Sequence, residues 1–210
     1  MAAQPREKFL AQGTGLRNAC YSFVPFDSVA WMKTYAGDAV PAAGAVVANA
    51  SFTNGKMPYP RSLAVKMTTA GTGSDHDLKI EFYGVNQFDE PVVTSVEFID
   101  IGANESAGIF RHTAKVFARC DAFKVVSKGG LGADDTIDIG LSSQATAVDF
   151  GLPFRIDSAS DILCALNNGA TAIAASQMTV DAVEAKVKFT AVITNGQRID
   201  LWVRTRLLGK

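Results

Sequence analysis

Few residues in this chain are equipped for chemistry. It has two histidines, His76 and His112, and three cysteines, Cys20, Cys120 and Cys164. A cysteine nucleophile with His112 as its base has no local signature to support it. The odd cysteine count, without any C-x-x-C pair, argues against a disulfide framework or a structural zinc site. Three reduced, mostly buried thiols are expected, in a reducing cytoplasm. The run SDHD at residues 74–77 offers oxygen and nitrogen ligands for a divalent ion. It lacks EF-hand spacing and reads as a solvated hairpin tip. The paired carboxylates of ADD at residues 133–135 suit acid–base work, but neighbours on a strand point to opposite faces. A loop ahead of the next strand is the reading. GTG at residues 13–15 and 71–73 never extends to G-x-G-x-x-G, and neither a phosphate-binding loop nor a G-x-S-x-G elbow occurs. No catalytic constellation is expected, and no cofactor or metal.

Two aromatic sets remain as candidates for contact chemistry. Asp200, Trp202, Arg204 and Arg206 alternate with Ile199, Leu201 and Val203, so they line the non-core face of the last strand. A tryptophan flanked by arginines can pack under a loop, meet another subunit or stack on a sugar. Near the other end lie Phe23, Phe26, Trp31, Tyr35 and Phe52.

Composition bounds what these residues can belong to. With 210 residues, 48% hydrophobic and 20% charged, the chain can bury a core and is not disordered. Twenty basic against 21 acidic residues leave a net charge of −1, which argues against a general polyanion binder. The charge is nonetheless blocked. Residues 75–105 hold eight acids and one lysine, and residues 106–128 hold five bases and one acid. Residues 133–161 hold six acids and one arginine, and residues 180–210 six bases and three acids. Alternating strand faces explain such blocks, and so do complementary subunit surfaces. No run of about 18 apolar residues is present, so no membrane span is expected. The first residues lack an apolar h-region, so no secretory signal is expected.

The elements that must position these residues are strands. DLKIEFY at residues 77–83 puts Leu78, Ile80 and Phe82 on one face and charges on the other. With SLAVKMTT (62–69) before it and PVVTSVEFI (91–99) after it, the pattern predicts an antiparallel meander. Residues 115–120, 122–127 and 135–141 supply further strands. DSASDILCALNNG (157–169) has N-cap serines and an Asn168-Gly169 stop, which predict a short helix or irregular excursion within 157–184. Val187, Phe189, Ala191 and Ile193, the Asn195-Gly196 turn, then Ile199, Leu201 and Val203 predict a closing hairpin. Short strands at regular spacing predict an all-β antiparallel sandwich, jelly-roll-like. Residues 1–60 hold five of the seven prolines and the small-residue run DAVPAAGAVVANA (38–50). They read as an extended N-terminal arm with one short strand and a helical turn near residues 28–35, laid on its own domain or on a neighbouring subunit, ahead of a sandwich domain at 61–210.

One phrase goes further. YGVNQFDEPVVTSVEF (83–98) resembles a strand–turn–strand unit of small structural proteins of tailed bacteriophages, in which a Gly-x-Asp/Asn-Gln-Phe-Gly/Asp-Glu turn re-enters a Thr/Val-rich strand. FKVVS (123–127), a short acidic strand DTIDIGL (135–141) and GLPFR (151–155) continue the likeness, which covers roughly residues 77–156. Asp89 stands where glycine is commoner, and residues 131–134 add to the loop. In the turn, Asn86 tolerates a left-handed backbone, Gly84 loosens the strand end, Pro91 limits pairing, and Phe88 folds back over the core. The resemblance implies a virion component without enzymatic activity, of the capsid decoration or cement type. Its implied place is the capsid exterior after synthesis in the host cytoplasm. Its implied partners are the major capsid protein and its own copies, as homodimer or homotrimer, with no direct nucleic acid and no membrane. Phe23, Phe26, Trp31, Tyr35, Trp202, Arg204 and Arg206 are the expected interface. Neck, head–tail or tail proteins are the near alternative. A carbohydrate- or receptor-binding module using Trp202, Arg204 and the His76 loop is the other.

Overall fold

A computed structural model of the chain describes residues 8–11, 16–23, 35–48, 56–70, 75–102, 105, 107–140, 149–190 and 197–206. Among these the structure is antiparallel β with no α-helix, as the alternation predicts. The chain divides into two compact units: Met1–Val29, Pro58–Pro60 and Ser143–Lys210 form one, Ala30–Met57 and Arg61–Ser142 the other. This division does not follow the expected boundary at residue 60.

In the first unit, β1 (Lys8–Ala11), β2 (Leu16–Phe23), β17 (Ile199–Arg206), β13 (Ile162–Asn167) and β14 (Thr171–Ile173) pair in that order. A second ladder joins β15 (Met178–Asp181), β16 (Lys186–Phe189) and β12 (Asp149–Gly151). Their apolar faces meet through rings. Phe23 lies 5.0 Å from Tyr21, 5.2 Å from Phe150 and 6.3 Å from Phe189, centroid to centroid. Residues 8–23 are therefore no arm. The alternation Ala19, Tyr21, Phe23 faces the core, and β2 sits inside the sheet. Prolines and small residues hid that period from a reading of the first 60 residues as one block.

Two further expectations change here. ILCALN is strand β13, not helix. Only a 3₁₀ turn at Ala159–Asp161 precedes it, capped by Ser158. Asn168 and Gly169, both at positive φ, close a β13–β14 hairpin. The same Asn-Gly pair serves a helix stop or a two-residue turn, and strand pairing on both sides of β13 decides between them. Among the described residues, which exclude Ala191 and Ile193, β16 and β17 do not pair as the predicted hairpin. β16 pairs with β12 and β15, whereas β17 pairs with β2 and β13. Its turn at 195–196 lies outside the described residues, as do residues 28–34 of the predicted helical turn.

In the second unit, β10 (Phe117–Gly129) is the spine, and the runs 115–120 and 122–127, which read as one or two strands, are this single one. It pairs with β7 (His76–Val85), with β4 (Val46–Ala48) and with residues of β5 (Lys56–Arg61). β7 in turn pairs with β8 (Pro91–Ile101). The facing sheet runs β3 (Tyr35–Ala39), β11 (Thr136–Gly140), β6 (Ala64–Thr68), β9 (Ile109–His112). Between them lie Leu78, Ile80, Phe82, Phe98, Phe123 and Val125 against Val65, Met67 and Ile137. The meander is thus realised for β7–β8 only, because β6 crosses to the other layer. The acidic and basic blocks meet across strands where Lys124 opposes Glu81, while Lys79, the one lysine of the acidic block, opposes and pairs with Glu97.

The turn at 84–90 works differently from its sequence reading. The left-handed residue is Asp89 (φ 58), where glycine is commoner in the resembling phrase, and not Asn86. Asn86 instead accepts the Phe88 and Glu90 N–H groups on Oδ1, at 2.8 and 3.0 Å. Gly84 is required by close approach. It opposes Cys120 beside a β-bulge in β10. A Cβ there would strike the Arg119 carbonyl oxygen and lie 2.9 Å from Phe117 Cδ1 and 3.0 Å from Cys120 Cα. Two of these three are backbone, which cannot swing aside. Gly84→Ala is therefore expected to lower stability by about 1–3 kcal/mol, read as a shift of the urea midpoint. Unchanged stability would show that β10 yields at its bulge.

Candidate functional site

β17 presents two different faces because its side chains alternate. Ile199, Leu201 and Val203 are fully buried inside, and Trp202 (half-buried) and Arg204 (exposed) point the other way. Register with the flanking strands sets their neighbours. Cys20 on β2 and Cys164 on β13 flank Trp202, Asn18 lies beside Arg204, and Ser22 beside Asp200. Asp200 is 6% exposed, and its charge is matched. Ser22 Oγ donates to Oδ1 at 2.6 Å, and Arg198 Nε and Nη2 donate to Oδ2 at 3.0 and 2.8 Å. The face therefore offers an indole with an exposed guanidinium one row away, on a strand held from both sides. Such a surface suits stacking and ion pairing with a partner.

The other expected contact residues fall elsewhere. Phe23 is 1% exposed at the centre of the aromatic core, so it cannot touch a partner. Tyr35 begins β3, and Arg206 ends β17. Phe26 and Trp31 lie outside the described residues.

The thiols differ in environment. Cys20 and Cys164 are separated by the whole of β17, about two strand spacings or ~9.6 Å, which is beyond disulfide reach. Burial raises the Cys20 thiol, with a further rise from Asp200 and an opposing pull from its Ser22 contact. Burial pushes the Cys120 thiol up to about 12. Cys164 is exposed. Only the thiolate attacks a disulfide reagent, and a raised pKa leaves less thiolate at pH 8. A chromogenic thiol reagent at pH 8 should therefore titrate Cys164 quickly, leave Cys20 and Cys120 protected, and reach all three in urea. Rapid reaction of two or three thiols in the folded chain would contradict this burial.

A polar cluster in the second unit was missed at the sequence level. Asp135 and His76 are each 1% exposed. Asp135 Oδ1 accepts the Ala70 N–H at 2.9 Å, and Oδ2 accepts the Gly132 N–H at 2.6 Å. His76 Nε2 lies 3.5 Å from the same Oδ2, and Nδ1–H donates to the Ile101 carbonyl at 3.0 Å. Beside it, buried Thr69 Oγ1 donates to the Gly102 carbonyl at 2.8 Å and accepts the Glu105 N–H at 3.0 Å. The cluster ties four chain segments together at one end of the unit. It corrects the reading of SDHD as a solvated tip, because His76 is buried, whereas residues 133–135 do form the expected loop ahead of β11, with Asp135 turned inward. The signal was present. His76 shares the parity of Leu78, Ile80 and Phe82, and Asp135 that of Ile137 and Ile139. Extending both alternations two residues back points both groups inward. The neighbouring Asp75 and Asp77 are exposed, and Asp77 Oδ1 accepts the Asp100 N–H. Among the described residues no three His, Cys, Asp or Glu side chains are placed to hold a metal ion. Asp135→Ala would strip the acceptor from the Ala70 and Gly132 N–H groups and leave buried His76 without its carboxylate. A loss of about 3 kcal/mol or more is expected, measured by urea denaturation. A loss under about 0.5 kcal/mol would show that solvent replaces the carboxylate.

No family model, no curated protein sequence and no solved structure matches this chain.

Proposed function

We propose that this protein is a structural virion component of the capsid decoration type, which binds the outer coat and stabilises contacts between coat subunits. The observation that carries the reading is the Trp202–Arg204 face of β17, a rigid surface with an aromatic anchor and an exposed cation. Burial of such a pair against a coat subunit provides adhesion without any reaction. Support comes also from residues 83–98, whose likeness to phage structural proteins falls on a β-hairpin with an ordered turn. A jelly-roll-like sandwich is the finer architecture that goes with this proposal. The partners proposed are the major capsid protein and further copies of the chain, on the capsid exterior. Neck or tail placement is the nearest rival. In the carbohydrate-binding alternative, contact would rest on Trp202 and Arg204 without His76, which is buried beside Asp135.

The deciding experiment is quantitative mass spectrometry of purified virions against the major coat protein, with rebinding of the purified chain to coat shells. Copy numbers comparable to the coat protein are expected. Trp202→Ala with Arg204→Glu should weaken shell binding by ~30-fold or more, as for loss of a hot spot. A few copies per particle would move the protein to the neck or tail. Absence from virions, or glycan binding without shell binding, would overturn the proposal.

A further inference from the structure

We infer that β8 is the dimerisation strand of this protein, pairing antiparallel with β8 of a second copy about a twofold axis at Val96. β8 is terminal in its sheet, with β7 as its ladder partner among the described residues. The register from Val85–Pro91 to Leu78–Phe98 is unbroken. The Asn86 N–H donates to the Glu90 carbonyl, which marks the even-numbered residues of β8 as those bonded towards β7. The backbone groups of Val93, Ser95 and Glu97 therefore point outward. Pro91 shares that parity and places its missing donor where no intramolecular bond needs it. At the far end a bulge between Phe98 and Ile101, with Asp100 at φ 52, shifts the register before pairing resumes at His76–Ile101. Between Pro91 and this bulge no other strand among the described residues pairs with the edge. It carries one charged side chain, Glu97, already paired with Lys79. Edges kept monomeric usually carry unpaired charge or inward-pointing lysines along their length.

The side chains select both the partner and the register. Val93 is 55% exposed and Ile99 65% exposed, the two large apolar side chains on this face of the strand. Centring an antiparallel pair on Val96 sets Val93 against Ile99 of the second copy, twice by symmetry. It also sets Ser95 against Glu97, whose outward backbone groups then exchange four hydrogen bonds. Moving the axis to Ser95 would set Val93 against Glu97. Moving it to Glu97 would set two glutamates opposite each other. One register thus joins apolar to apolar and separates the carboxylates. A strand that is complementary to itself in a single register fits a closed dimer rather than an open filament. This inference stands apart from the virion reading and would hold if that reading failed.

Analytical ultracentrifugation of the full chain tests it. A monomer–dimer equilibrium is expected, with dimer populated by about 100 μM. Val93→Lys and Ile99→Glu singly should each weaken dimerisation roughly tenfold, since each change spoils two cross-strand pairs. Combined, they set the introduced lysine against the introduced glutamate of the other copy and should restore association. Both sites are exposed, so folding is retained, checked by circular dichroism. A wild-type monomer at about 100 μM would overturn the inference. So would dimerisation indifferent to both single changes, or a double variant no better than the singles.

Discussion

An interior strand of a sheet must pair its backbone on both sides, and in the second unit that demand falls on β10. Its thirteen residues bond to β7 along one edge and to β4 and β5 along the other. Two bulges in its pairing with β7 absorb the mismatch between a long, twisted strand and shorter partners. One bulge brings the Arg119 carbonyl against β7 so closely that only glycine fits at position 84. The register set there carries through β7 to β8. It decides which residues of β8 face the core and which face out. The open edge, the exposed Val93 and Ile99, and the Lys79–Glu97 pair all follow from it.

The buried His76–Asp135 cluster serves the same unit at its loop end. Loops that leave the strand ladders carry N–H groups without a ladder partner, and these need acceptors. One carboxylate answers two of them, and the imidazole beside it reaches the carbonyl of Ile101. Residue types suited to catalysis are here consumed by backbone satisfaction. The first unit solves its own version of the problem with rings. Phe23, Phe150 and Phe189 fill the space between two layers, and the one buried carboxylate on the outer face, Asp200, is tied by Ser22 and Arg198.

Much of this was legible in the residues. The period of two in residues 77–83 and 91–99 named the β7–β8 hairpin, its buried face and its turn. The split of β17 into Ile199, Leu201, Val203 on one side and Trp202, Arg204 on the other was equally plain. Alternation is a local property, enforced by strand geometry whatever the partner. The same rule, applied two residues further back, would have placed His76 and Asp135 inside.

Pairing partners were not legible. An Asn-Gly step fits a hairpin turn and a helix stop alike, so ILCALN became a strand only through β17 and β14. Residues 186–189 and 199–206 look like two arms of one hairpin, yet each pairs with strands distant in the chain. Leu16–Phe23, within a segment whose composition suggests an arm, lies beside a strand more than 170 residues later. The sequence by itself determined that this chain is built largely of strands and, for β7, β8 and β17, which side is apolar, because those follow from neighbours one and two residues away. Which strands meet, and hence which edge is left open, was decided by tertiary structure alone. Backbone hydrogen bonds carry no side-chain label, and a strand's partner is chosen by the packing of faces that only the folded chain brings together.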